Sequence, residues 1–141
     1  MKTAVSYYTR SGNTKKLAEA IAAALGVTAR PVADGIEGET EILFLGSSPY
    51  AFDVDGAIKE FVAACAGKID VIVFFGTSAS GMSTRDMIKA AADKAGVKVC
   101  EEYFNCPGRF KFMHKGRPND GDAAAAAKFA VDILDKLASG R

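Results

Sequence analysis

Apolar residues along this chain follow two rhythms that alternate. Runs with almost no polar interruption, at 3–8, 42–46 and 69–75, are separated by stretches in which apolar residues recur every three or four positions. Leu17, Ile21 and Leu25 fall four apart, Ile58, Phe61, Val62 and Cys65 follow an i, i+3, i+4, i+7 spacing, and Ala126, Ala130, Ile133 and Leu137 align the same way. Unbroken runs suit strands covered on both faces; the longer spacing marks one buried face of a helix. The predicted order is a strand at 3–8, a helix at 13–25 closed by Gly26, and a more polar edge strand at 27–32. A turn at 34–39 and a strand at 42–46 follow, then the loop 47–53, a helix, and the strand 69–75. After the loop 76–82, Ser83-x-x-Asp86 has the form of a capping box for a helix that stops at Gly96. A fifth strand at about 97–103 and a last helix capped by Asp120 or Asp122 complete the order.

Strands that alternate with helices specify an α/β protein: a parallel sheet between two helical layers, joined by right-handed crossovers. With 141 residues, one domain over 1–141 is the expected organisation. Ligands of such sheets lie beyond the carboxyl ends of the strands, and the loops there are 9–14, 47–53 and 76–82. Hydrophobic residues at 49% and charged residues at 25% fit a water-soluble globular chain, and the apolar runs are too short to span a bilayer. Three cysteines without a secretory segment point to free thiols in a reducing cytoplasm. One histidine and no Cys-x-x-Cys pair weigh against a zinc or iron–sulfur centre.

The loop after the first strand holds the densest candidate chemistry. Thr9-Arg10-Ser11-Gly12-Asn13-Thr14 leads straight into a helix, whose first N–H groups lack intrahelical acceptors and favour an anion. Gly12 removes a Cβ from the approach, while Thr9, Ser11, Asn13 and Thr14 offer neutral hydrogen-bonding groups. These features predict a phosphate site. Neither the Walker A spacing nor the dinucleotide fingerprint is present, and no cysteine nucleophile opens the loop as in a low-molecular-weight tyrosine phosphatase.

Residues 9–14, in this position after the first strand, resemble the flavin mononucleotide (FMN) phosphate loop of the flavodoxins, Thr/Ser-x-Ser/Thr-Gly-Asn-Thr. The resemblance extends over nearly the whole chain. It implies a flavodoxin-like three-layer sandwich with a five-stranded parallel sheet of order 2-1-3-4-5, FMN as cofactor, and an electron-transfer role between redox partner proteins. By the same resemblance, Thr9, Arg10, Ser11, Gly12, Asn13 and Thr14 hold the phosphate. Ser47, Ser48, Pro49, Tyr50 and Phe52, with Gly76, Thr77, Ser78 and Gly81, surround the flavin ring. Tyr50 and Phe52 are the aromatic candidates for stacking; the 76–82 loop has none. The 47–53 loop lacks the glycine that eases a peptide flip toward flavin N5, and the chain has a net charge of +1 where flavodoxins are strongly acidic. By the same resemblance, the first departure implies weak semiquinone stabilisation and the second a less negative potential for the fully reduced flavin.

The stretch 104–121 is read as a long connection. It has Arg109, Lys111, Lys115 and Arg117 with no acid between 109 and 117, interleaved with Phe110, Phe112 and Met113. It fits a cover over the flavin edge, a docking loop for an acidic redox partner, or a nicotinamide-phosphate site. Nucleic acid is disfavoured, because no matching basic surface exists elsewhere. Cys106 is read as a packed thiol, with activation by Arg109 as the competing view. The expected protein is a monomeric carrier with no membrane contact and no side-chain acid or base. An FMN-dependent NAD(P)H oxidoreductase and a flavin-free binding module are the alternatives.

Overall fold

A computed structural model of the chain describes residues 2–36, 38–49, 55–79, 81, 83–109 and 114–140. The strands are β1 (Thr3–Tyr7), β2 (Ala29–Pro31), β3 (Thr40–Ser47), β4 (Ile69–Ser78), β5 (Lys98–Val99) and β6 (Phe104–Pro107). The helices are α1 (Asn13–Leu25), α2 (Gly56–Ala64), α3 (Arg85–Ala95) and α4 (Asp120–Ser139). All described strand pairs are parallel, in the order β2-β1-β3-β4-β5, with β6 also against β4. The predicted 2-1-3-4-5 order is the one formed.

Side-chain alternation along the central strands builds two cores. Ile42 and Phe44 of β3 and Val71, Val73 and Phe75 of β4 pack with Leu17 and Ile21 of α1 and Ala126, Ala130 and Ile133 of α4. Leu43, Leu45, Ile72 and Phe74 point to the other face, onto Ile58, Phe61 and Val62 of α2 and Ile88 and Ala92 of α3. Because both faces are covered, β3 and β4 read as continuous apolar runs. The small residues Ala18, Ala22, Ala126 and Ala130 are buried in the α1–α4 layer, where short side chains let the two helices approach.

Two expectations change. The fifth strand is divided: β5 ends at Val99, and the chain rejoins β4 as β6, with Phe104 opposite Phe75 and Cys106 opposite Thr77. The detour is held by Arg85, whose Nε and Nη2 donate to the Cys100 carbonyl at 3.3 and 2.9 Å, with its guanidinium 5.8 Å from the Tyr103 ring centroid. Residues 104–107, read as the start of a loop, are therefore sheet. Ser83-x-x-Asp86 does not form a capping box either: Thr84 is the N-cap of α3 and makes no capping bond, while the Arg85 N–H donates to Ser83 Oγ at 3.1 Å. The capping box sits on α4, where Asn119 and Asp122 exchange side-chain-to-backbone bonds of 2.9 and 2.8 Å. Asn119, one residue before the predicted Asp120, is thus the cap. The segment between β2 and β3 holds one short 3-10 turn at Val32–Asp34.

Candidate functional site

The first loop meets its helix as the motif requires. Gly12 is the N-cap of α1 at φ 89°, a left-handed conformation, and no atom within 4 Å crowds the position of a missing Cβ. No side chain caps the helix and its first turn has no acid, so its leading N–H groups keep their partial positive charge for an incoming anion. The turn is fixed from within by the Gly12 N–H, which donates to Thr9 Oγ1 at 2.9 Å. Ser11 and Gly12 are exposed on the loop and Asn13 is half-buried. Such a loop can hold a phosphate without a charged side chain.

Beneath it lies a triangle of hydroxyls. Thr14 Oγ1 is 2.9 Å from Ser48 Oγ and 3.3 Å from Thr77 Oγ1, and Ser48 Oγ is 2.7 Å from Thr77 Oγ1. Three hydroxyls contribute one donor each, enough for the three contacts. The triangle joins α1 to the carboxyl ends of β3 and β4, so three of the predicted site residues are brought together. Thr14 and Thr77 are buried, which places the Thr14 hydroxyl under the loop rather than on its surface. Ser47, Gly76, Thr77 and Ser78, assigned to loops by the sequence, are the last residues of β3 and β4 and are buried there. Pro49 is half-buried and Gly81 exposed; Tyr50 and Phe52 lie outside the described residues.

Arg10 reaches away from the loop. Its Nη2 is 2.5 Å from Asp55 Oδ2, and Asp55 also accepts the Ala57 N–H at 2.9 Å as N-cap of α2. This bond to Arg10, followed by the one from Ala57, holds the Asp55 carboxyl below its ordinary pKa. Arg10 thus ties the 9–14 loop to the start of α2.

The described residues that follow β6, 108–109 and 114–117, make further contacts at this end of the sheet. The Gly108 N–H donates to the Ser78 carbonyl at 3.1 Å, and a Cβ on Gly108 would stand 2.9 Å from Thr77 Cβ and 3.0 Å from Asn13 Nδ2. Asn13 Nδ2 donates to the Arg109 carbonyl at 3.0 Å, and His114 Nε2 donates to the Ala79 carbonyl at 3.0 Å. The Arg109 N–H donates to the Arg117 carbonyl at 2.8 Å, drawing the two ends of the segment together. Arg117 then clamps Asp122 with bonds of 2.6 and 2.7 Å, anchoring the segment to α4. Gly108 and Asn13 were the available signals: one small residue and one amide whose partner lies 96 positions away.

Arg117 holds the Asp122 carboxyl below its ordinary pKa, opposed by partial burial and helped by the Asn119 N–H. A lowered folded pKa gives stability that is complete above the unfolded value near ~4 and is lost as pH falls through the folded value. Asp122→Asn is therefore expected to lower the urea midpoint at pH 7. Its deficit against the parent should shrink below pH ~4, where the parent loses the same charge. A deficit that stays constant to the acid limit would refute the role of this ion pair.

The thiols behave as packing groups. Burial, then Asp122, pushes the Cys106 thiol up to about 11 against the opposing Arg117, and burial pushes Cys65 to about 11. The cation that faces Cys106 is thus Arg117, and burial outweighs it. At pH 8 only the half-buried Cys100 is expected to react promptly with Ellman's reagent, the other two waiting on unfolding. A second prompt thiol would contradict this.

Elsewhere, a groove of about 580 Å³ between α2 and α3 is lined by Ala63, Ala66, Met87, Ala90 and the stems of Lys59 and Lys94. It shares no residue with the loops at the carboxyl ends. Among the described residues no cluster of His, Cys, Asp or Glu is arranged for a metal ion, and no helix is long and apolar enough to cross a membrane.

No family model and no curated protein matches the sequence. Solved structures do match. An archaeal flavodoxin is 25% identical with a TM-score of 0.73, over 97% of this chain and 99% of its own. Flavodoxin 2 of Bacillus cereus is 16% identical with a TM-score of 0.69, over 96% of this chain and 99% of its own. The flavodiiron core of Flv1 from Synechocystis is 18% identical with a TM-score of 0.76, over 99% of this chain but 36% of that one. The sheet order, the two helical layers and these neighbours together establish a flavodoxin-like protein, folded as flavodoxins are along nearly its entire length.

Proposed function

We propose that this chain binds FMN non-covalently and passes electrons between redox partner proteins. The observation that carries the reading is the uncapped, acid-free start of α1 at Gly12, set at the carboxyl ends of β1 and β3 where the strand order reverses. The leading N–H groups of α1, with Ser11 and the loop fixed by Thr9, would hold the phosphate. Thr14, Ser48 and Thr77 support the loop from below, and Arg10 ties it to Asp55. The ends of β3 and β4, from Ser47 to Pro49 and from Gly76 to Ser78 with Gly81, would flank the ring. When bound, FMN supplies one- and two-electron redox chemistry. The protein's part is to bind and orient it.

Titration of the purified chain with FMN, followed by visible absorbance and flavin fluorescence, tests binding. A shifted absorbance band and quenched fluorescence with a single-site endpoint are expected, and their absence would leave only the flavin-free module. The loaded protein is then mixed with NADH or NADPH. Slow oxidation fits a carrier that depends on a protein partner, whereas rapid turnover with a quinone would assign the oxidoreductase reading instead.

A further inference from the structure

The first turn of α1, whose N–H groups would receive the phosphate, is held residue by residue. The Gly12 N–H donates to Thr9 Oγ1 at 2.9 Å, and Thr14 Oγ1 meets the Ser48 and Thr77 hydroxyls at 2.9 and 3.3 Å. Those ties come from the loop itself and from the strand ends beneath it. The tie on Asn13, between them, comes from elsewhere: its Nδ2 donates to the Arg109 carbonyl at 3.0 Å, 96 positions away. Whatever fixes Arg109 therefore fixes the middle of the turn. Two bonds do so. The Gly108 N–H donates to the Ser78 carbonyl at 3.1 Å, and the Arg109 N–H donates to the Arg117 carbonyl at 2.8 Å. The second bond depends on where Arg117 stands, and the Arg117 side chain sets that: its Nε and Nη2 grip both carboxylate oxygens of Asp122 on α4 at 2.6 and 2.7 Å. A two-pronged pair fixes orientation as well as distance. The Asp122 side chain is only 12% exposed, so solvent and salt screen the pair little.

We infer that Arg117 is a positioning residue for the phosphate site. Its guanidinium engages Asp122, and its backbone carries the constraint through Arg109 to Asn13, keeping the leading N–H groups of α1 aimed before the ligand arrives. The inference rests on the FMN reading for the identity of that ligand. A helix start without a side-chain cap leaves its first turn free to fray, and a ligand that must order it loses affinity by that cost. With Asn13 pinned, the order exists beforehand, and it serves the phosphate end of the ligand rather than the ring. Arg117 also carries a charge, which favours any nearby anion without passing through Asn13. The two routes differ in what happens when Asn13 is removed.

Fluorescence titrations with FMN and, separately, with riboflavin compare the parent with Arg117→Met, which keeps the stem and removes the fork. Arg117→Lys, Asn13→Ala and the double variant Asn13→Ala/Arg117→Met complete the set, each checked by circular dichroism to be folded at the temperature used. Arg117→Met should bind FMN ~10-fold more weakly, a coupling ordinary for residues in one hydrogen-bonded network, and riboflavin within ~2-fold of the parent. Arg117→Lys keeps the charge and can still donate to Asp122, so its FMN affinity should recover to within ~3-fold of the parent. On the Asn13→Ala background the Arg117→Met change should cost FMN less than ~2-fold, because the path is already cut. Unchanged FMN binding by Arg117→Met, equal losses for FMN and riboflavin, or an undiminished loss on the Asn13→Ala background, the signature of charge alone, would each overturn the inference. If the parent takes up no FMN, the flavin reading falls by itself, and the Asn13 side-chain amide in the NMR spectrum decides the coupling. Faster exchange with solvent in Arg117→Met sustains it, and unchanged exchange overturns it.

Discussion

Gly76→Ala is expected to destabilise this protein by about 3 kcal/mol and to lower its melting temperature by about 10 °C. Gly76 lies in β4, opposite Ser47 of β3 on one side and Asn105 of β6 on the other. A Cβ there would stand 2.4 Å from the Ser47 carbonyl oxygen, 2.5 Å from Phe74 Cζ and 3.2 Å from Asn105 Oδ1. The nearest atom is backbone in a sheet, so relief requires β3 and β4 to separate at the end that forms the site. The second atom belongs to Phe74, which is fully buried and has no open space to turn into. Overpacking of this kind ordinarily costs ~1–3 kcal/mol, and the rigid carbonyl places this case at the upper end. Gly56→Ala is the control: at the first position of α2 nothing lies within 4 Å of its Cβ, and the helix gains up to ~1 kcal/mol from alanine. Thermal melts of both variants check the claim, which fails if Gly76→Ala melts with the parent.

The contrast shows what the sequence makes legible. Gly76 and Gly12 look alike as letters beside Ser and Thr, but one needs a left-handed backbone and the other needs the absence of a side chain between strands. The first need can be read from a local motif; the second depends on a partner strand far away in sequence. Likewise β3, β4, α1 and α4 are plain from their periodicity, because burial on one or both faces writes itself into consecutive residues. The break between β5 and β6 is not, because it is held by Arg85 reaching the Cys100 carbonyl across 15 positions. The misplaced caps have a local cause. Both Ser83 and Asn119 can accept from a nearby N–H, and only the backbone geometry decides which contact becomes a helix cap. Within the candidate site the loop 9–14 and the helix that follows it were legible from one contiguous stretch. The contacts of Gly108, the Arg109 carbonyl and His114 were not, since each is made to a backbone or polar group on a loop distant in sequence.

Ser11→Asp separates binding from stability more sharply than any deletion of a site residue. Ser11 is exposed, immediately before the Gly12 N-cap, in a helix start that has no acid and no side-chain cap. A carboxylate near such a terminus meets the positive end of the helix dipole, so the variant should be as stable as the parent or more stable by up to ~1 kcal/mol. The same carboxylate would meet the FMN phosphate with like charge. A monoanion facing a near-dianion at ~4 Å, under an effective dielectric constant between that of water and ~20, costs at least ~2 kcal/mol, and more where the phosphate is shielded from solvent. FMN affinity should therefore fall by about 30-fold or more while the melting temperature holds or rises. Riboflavin, which has no phosphate, supplies the internal comparison: whatever weak affinity the parent has for it should survive in Ser11→Asp. A variant that binds FMN as the parent does would remove the phosphate from this loop, and with it the main support for FMN as the cofactor. Equal losses for FMN and riboflavin would show that the substitution had disturbed the ring's surroundings rather than the anion site.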